Sequence, residues 1–204
     1  MPGRLWLLFL CGLSAFAAGS LYSWSALSGP LAEVLSQRAV GVVLTGSDLS
    51  AAFALASALT PLTMLVSGFL SDRTCPKNVI LAGACVMGFG LYQCARAEAL
   101  NDVIVYYGLF FGLGLGLAYG SLINYAVKLY PDKKGFAGGF VTSGYSLGSV
   151  VLPPVLTAIY LSIGIDGVFR FLGVATALII GASTCFFNRM PRNSPRVSVG
   201  MDSG

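Results

Sequence analysis

The chain has 204 residues, of which 56% are hydrophobic and 10% charged, and its mean hydropathy is +0.81. A soluble domain carries about 25% charged residues, so this composition belongs in lipid. The net charge of +4 is spread over short loops, whereas nucleic-acid binding needs basic residues gathered on one soluble face.

Six runs without Asp, Glu, Lys or Arg, Leu5 to Ser28, Leu49 to Ser71, Val79 to Ala95, Val103 to Val127, Phe136 to Ile165 and Phe171 to Asn188, predict six transmembrane helices at about 5–28, 48–71, 78–97, 102–127, 135–162 and 167–188. Each approaches or exceeds the roughly 17–25 residues that cross a hydrocarbon core of about 30 Å. A membrane β-barrel would instead show segments of about ten residues with alternating polarity. The first run follows Arg4, and Leu5 to Ala15 with Ala15-Phe16-Ala17 has the outline of a cleavable signal peptide. The apolar stretch continues through Leu21, Trp24 and Leu27, which suits a retained helix. Tyr22, Ser23, Trp24 and Ser25 are its polar members. The second run ends in GFLSDRTCPK, Gly68 to Lys77, where Asp72 and Arg73 follow more than twenty uncharged residues.

In the fourth run Gly108, Gly112, Gly116 and Gly120 recur every four residues, as Gly144 and Gly148 do in the fifth. Such stripes let helix backbones approach closely in lipid. GLGLG, Gly112 to Gly116, lacks the preceding strand and soluble βαβ setting of a phosphate loop. GYSLG, Gly144 to Gly148, fits the nucleophile pattern GxSxG, yet the chain has no histidine to take a proton from Ser146. No enzyme, cofactor or metal is expected. The five cysteines show no CxxC spacing, so neither a disulfide framework nor a zinc site is indicated. Residues 189–204 read as a disordered basic cytoplasmic tail or the start of a linker.

Lysine and arginine mark the cytoplasmic side of short loops. Arg4, Arg73, Lys77, Lys128, Lys133, Lys134, Arg189, Arg192 and Arg196 fall on one side. Arg38, Arg96 and Arg170 fall on the other, among Glu33, Asp48, Glu98, Asp102 and Asp166. Both termini are therefore expected in the cytoplasm of a multi-pass cell-membrane protein. The uncharged polar residues on the first, fourth and fifth helices, Tyr22, Trp24, Tyr119, Asn124 and Tyr145 among them, suggest a cavity, because polar groups at bilayer depth must pair or face water. An interfacial aromatic belt is the alternative, chiefly for Trp24.

GFLSDRTCPK resembles the signature between the second and third helices of the major facilitator superfamily, with Gly68, Leu70, Asp72, Arg73 and Lys77 at matching positions. Gly116 to Gly148, with the PDKKG turn at Pro131 to Gly135 and the GYSLG after it, is similar to the fourth-to-fifth helix region of the oxalate:formate antiporter family, relatives of the monocarboxylate transporters. Leu129 and Tyr130 stand where that family usually has Trp-Phe. GSLYSWSALSGPL, Gly19 to Leu31, resembles its first helix. The resemblance covers the amino-terminal half of the family and implies one 3+3 inverted-repeat half of the fold. It implies alternating access, a small carboxylate substrate held by Tyr22, Tyr119 and Tyr145 with Trp24 setting its size, and a cytoplasmic latch of Gly68, Asp72, Arg73 and Lys77. Gly68 is expected to let a neighbouring helix come close.

A carboxylate at bilayer depth needs a cation, and no Lys or Arg lies within any of the six runs. In the family the cations belong to the carboxyl-terminal half, so the expected partners are the bilayer, a small carboxylate and a missing or separate second half. The alternative is a truncated or non-transporting membrane protein, a remnant or a regulatory subunit pairing with full-length relatives.

Overall fold

A computed structural model describes residues 3–38 and 44–187. The expected tail at 189–204 lies outside the described residues. Among them every regular element is helical, as backbone groups in lipid require. In chain order these are α1 (Arg4–Ala18), a 3-10 segment (Gly19–Ser23), α2 (Trp24–Arg38), α3 (Ser50–Arg73), α4 (Pro76–Cys94), α5 (Leu100–Val103), a π segment (Ile104–Phe111), α6 (Gly112–Leu129), a 3-10 turn (Pro131–Lys133) and α7 (Lys134–Phe186). Among the described residues four stretches are long and apolar enough to cross a membrane: Arg4–Arg38, Ser50–Arg73, Leu100–Leu129 and Pro131–Phe186. Gly164, at φ 71 and ψ 173, breaks α7 into two arms. Only glycine adopts that backbone at no steric cost, so the kink between the arms is fixed there.

The first helical stretch runs past Ser28 to Arg38. Pro30 removes one backbone donor, but Leu31, Ala32 and Leu35 are buried behind it, and packing outweighs the lost hydrogen bond. Pro76 opens α4, a position where its missing N–H costs nothing.

The glycine stripes have defined partners. Gly112 abuts Ala56, Gly116 abuts Thr60 and Thr63, and Gly120 abuts Met64 and Ser67, all on α3. A Cβ on Gly116 would lie 1.8 Å from Thr63 Oγ1 and 2.5 Å from the Thr60 carbonyl oxygen. Gly108, one step earlier, meets Ala52 and Leu55. Four residues of α-helix overshoot a full turn by roughly 40°, so a strict α-helix would carry Gly108 off this face. The wider π turn around it offsets that drift. Gly144 and Gly148 pack against Gly12 and Phe16 of α1, Gly148 with a hypothetical Cβ only 2.2 Å from the Phe16 carbonyl oxygen. The opposite face of α6 holds Gly114 against Gly83 and Met87 of α4, so α6 is clamped from two sides.

Candidate functional site

The first helical stretch changes its hydrogen bonding midway, at Gly19–Ser23, and this change positions the site. Gly19 allows the Tyr145 carbonyl and Gly148 of α7 to approach within 2.5 and 3.0 Å of where a Cβ would sit. Tyr22, on the same segment, then reaches across, its ring 6.1 Å from that of Tyr145 and 6.5 Å from Phe53 of α3. Tyr145 stacks on Tyr119 of α6 at 4.6 Å and 29°. Three phenols from three separate stretches therefore meet in one cluster. Tyr22 is half exposed, whereas Tyr119 is buried and its hydroxyl stands 3.4 Å from Thr142 Oγ1.

Trp24 is not in this cluster. It is buried with its ring 4.0 Å from that of Tyr107, which stacks in turn on Phe111 at 4.7 Å. The fully buried Tyr107 hydroxyl donates to the Leu21 carbonyl oxygen at 2.9 Å, and the Trp24 backbone N–H donates to the same oxygen. Leu21 lies in the 3-10 segment and Tyr107 in the π segment. One buried hydrogen bond thus ties the two non-α turns together and fixes the turn that presents Tyr22. Tyr107 was hidden in an apolar run, but a buried tyrosine usually finds a partner for its hydroxyl, and that was the available signal.

Asn124, expected in the cavity, is placed elsewhere. Its amide donates to Asp72 Oδ1 at 3.2 Å and to the Gly68 carbonyl at 3.5 Å. Lys128, one turn later on α6, reaches the same Asp72 oxygen at 2.5 Å. Below them the Ser71 and Ser121 hydroxyls pair at 2.8 Å. Asp72 and α6 thus form one polar seam. Arg73 turns away, its guanidinium 4.0 Å above the Phe69 ring, and Lys77 makes no ion pair among the described residues. Gly68 meets no neighbouring helix through its Cα face among the described residues. A Cβ there would meet nothing within 4 Å, because the outward side of α3 at this level has no neighbour among the described residues.

At the opposite end of the bundle Arg38 pairs with Asp166, and its Nη1 donates to the Ala97 carbonyl at 2.9 Å. Among the described residues no group of three or more His, Cys, Asp or Glu side chains could hold a metal. The tyrosine cluster offers hydroxyl donors and ring faces, and it has no charge of its own. It can orient a small polar or anionic molecule, and it cannot neutralise one.

Residues 5–202 match the family model of the Major Facilitator Superfamily. The chain belongs to this superfamily. It is 26% identical over 189 residues to the uncharacterized MFS-type transporter YhjX of Escherichia coli, which covers 93% of this chain and 45% of that protein. Against the oxalate:formate antiporter of Oxalobacter formigenes it is 26% identical over 168 residues, 82% of this chain and 38% of the relative. Monocarboxylate transporter 12 of Rattus norvegicus is 30% identical over 113 residues, 55% of this chain and 22% of the transporter. The chain thus spans less than half the length of these relatives. Its membership and its apolar helices make it a membrane protein of a transporter family.

Proposed function

We propose that this chain is the amino-terminal half of a transporter that moves a small organic anion, of the oxalate, formate or monocarboxylate type, by antiport through alternating access. Six spans then cross the cell membrane with both termini in the cytoplasm. The second half, in the same polypeptide or a separate one, completes the path and supplies the cation. The observation that carries this reading is the Tyr22, Tyr119 and Tyr145 cluster, assembled from three stretches at ring separations of 4.6 and 6.1 Å.

The pattern of packing supports a 3+3 inverted repeat. Non-α segments fall in the first and fourth spans, and internal prolines, Pro61 and the pair Pro153 and Pro154, in the second and fifth. The fifth span packs by glycine on the first, as the fourth does on the second, which is the exchange that a pseudo-twofold in the membrane plane demands. Interrupted helices at corresponding positions of two repeats are where secondary transporters build their midplane sites. Asp72, Lys128 and Asn124 then form the fixed half of the cytoplasmic latch, leaving Arg73 and Lys77 for the other half.

The test is a competent assembly, this half together with a carboxyl-terminal half, reconstituted in liposomes. Tyr119→Phe and Tyr145→Phe each remove one hydroxyl donor, and each is expected to raise the KM for labelled oxalate roughly ten- to 150-fold, a hydrogen bond to a charged group being worth about 1.5–3 kcal/mol. Unchanged KM in both variants removes the tyrosines from the site.

A further inference from the structure

The three arginines that break the charge asymmetry of the loops converge in space. Arg38 closes α2, Arg96 lies in the turn after α4, and Arg170 stands in the second arm of α7. Together with Ala95, Glu98 and Asp166 they line one cleft of about 630 Å³, a volume within the roughly 300–1,000 Å³ of small-molecule sites. Topology alone does not produce this. The positive-inside bias favours few cations at this end, and nothing in it directs the exceptions from three distant elements to one place.

The charges are unequally engaged. Arg38 is neutralised by Asp166 and held by the Ala97 carbonyl. The Arg96 guanidinium lies 5.6 Å from the Tyr92 ring centroid, and neither Arg96 nor Arg170 makes an ion pair among the described residues. Glu98 is the one remaining carboxylate in the lining, so two guanidiniums face one opposing charge. A planar guanidinium matches an oxyanion with two parallel hydrogen bonds, and a concave wall raises the local anion concentration.

We propose that this cleft is an oxyanion-binding site for a small carboxylate or phosphate, at the end of the bundle opposite Asp72 and Lys128. It is separate from the tyrosine cluster and uses charge that the cluster lacks. A free substrate and an anionic lipid headgroup present the same chemistry to it. Only the choice of carboxylate as probe rests on the transport reading.

The experiment is calorimetric titration of the 204-residue chain in a neutral detergent with oxalate, and separately with inorganic phosphate. Saturable binding is expected, weakening as salt rises past about 0.1 M, where the Debye length is about 10 Å. Arg96→Gln and Arg170→Gln should each weaken it roughly tenfold and the double variant abolish it, while Glu98→Gln should tighten it roughly threefold. That gain separates the site from a folding defect, which could only weaken binding. Tyr119→Phe and Tyr145→Phe should leave the affinity unchanged. In nanodiscs, competition with oxalate by phosphatidylglycerol but not phosphatidylcholine, lost in Arg170→Gln, identifies the lipid headgroup as the occupant; absence of competition identifies the free anion. No binding, or binding indifferent to both arginines, overturns the proposal. Binding lost in the tyrosine variants instead overturns the cleft and, with it, the need of the cluster for a second half's cation, whereas cleft binding beside a transport-dead assembly upholds the cleft and overturns the transport reading.

Discussion

Gly148→Ala should destabilise the bundle, and the structure gives the size of the effect. A Cβ at Gly148 would stand 2.2 Å from the Phe16 carbonyl oxygen, where ordinary contact begins at 3.4 Å. The obstacle is backbone on α1, which cannot swing aside as a flexible side chain would. Helix and helix must therefore part by roughly 1 Å, an overpacking that costs about 1–3 kcal/mol. The same parting draws Tyr145 away from Gly19 and Tyr22, loosening the tyrosine cluster. Gly139→Ala, on the same arm of α7 with nothing within 4 Å, is the control. Both variants gain the same helix propensity of about 0.5–1 kcal/mol, so their difference isolates the overpacking. In mixed micelles of rising sodium dodecyl sulfate fraction, with unfolding followed by circular dichroism, Gly148→Ala should be less stable than Gly139→Ala by about 1–3 kcal/mol, or roughly five- to 150-fold in the unfolding constant. Equal stabilities within about 0.5 kcal/mol would refute the close packing of α7 on α1.

Other perturbations follow from the same contacts. Tyr107→Phe removes the hydroxyl and leaves the Leu21 carbonyl still bonded to the Trp24 N–H, so the loss of stability should be only about 1 kcal/mol. Amide exchange across Tyr22 to Ser25, read by mass spectrometry, should accelerate while that of α1 holds, and equal exchange in both regions would deny Tyr107 its positioning role. Lys128→Ala breaks a pair whose side chains are 35% and 61% exposed, so stability should fall by no more than about 1 kcal/mol, and by less in high salt. A loss of several kcal/mol in the micelle titration would mean that the seam holds the fold together rather than shaping one end of it. Gly116→Ala should be worse tolerated than Gly68→Ala, because Gly116 faces Thr60 and Thr63 while Gly68 faces open space; the thermal aggregation temperatures of the two variants compare them directly.

Length and hydropathy made the helical, membrane-spanning character legible, since each apolar run had to satisfy its backbone internally. The glycine stripes were legible as close-packing faces, but the faces they meet were not. Which helix lies opposite depends on tertiary arrangement, and Gly68 looked the same in the sequence as Gly116. Tyr22, Tyr119 and Tyr145 could be grouped because phenols at bilayer depth on several helices need a shared polar interior. Asn124 fitted the same description, yet it was claimed by Asp72, whose charge is the stronger acceptor. Trp24 and Tyr107 were invisible as a pair, because the 3-10 and π turns they join are hydrogen-bond shifts that carry no local signature. Arg38, Arg96 and Arg170 were each visible as exceptions to the loop charge pattern, and only folding brings them to one cleft.

On the proposed transport reading, the tyrosine cluster binds its anion only with positive charge supplied by a second half. Counterflow of labelled oxalate into liposomes tests it most directly, comparing this chain alone with the chain co-reconstituted with a carboxyl-terminal six-helix half. The chain alone should show no counterflow above protein-free liposomes, and the assembled pair should show saturable counterflow. Robust counterflow by the chain alone would show that no cation from a second half is needed.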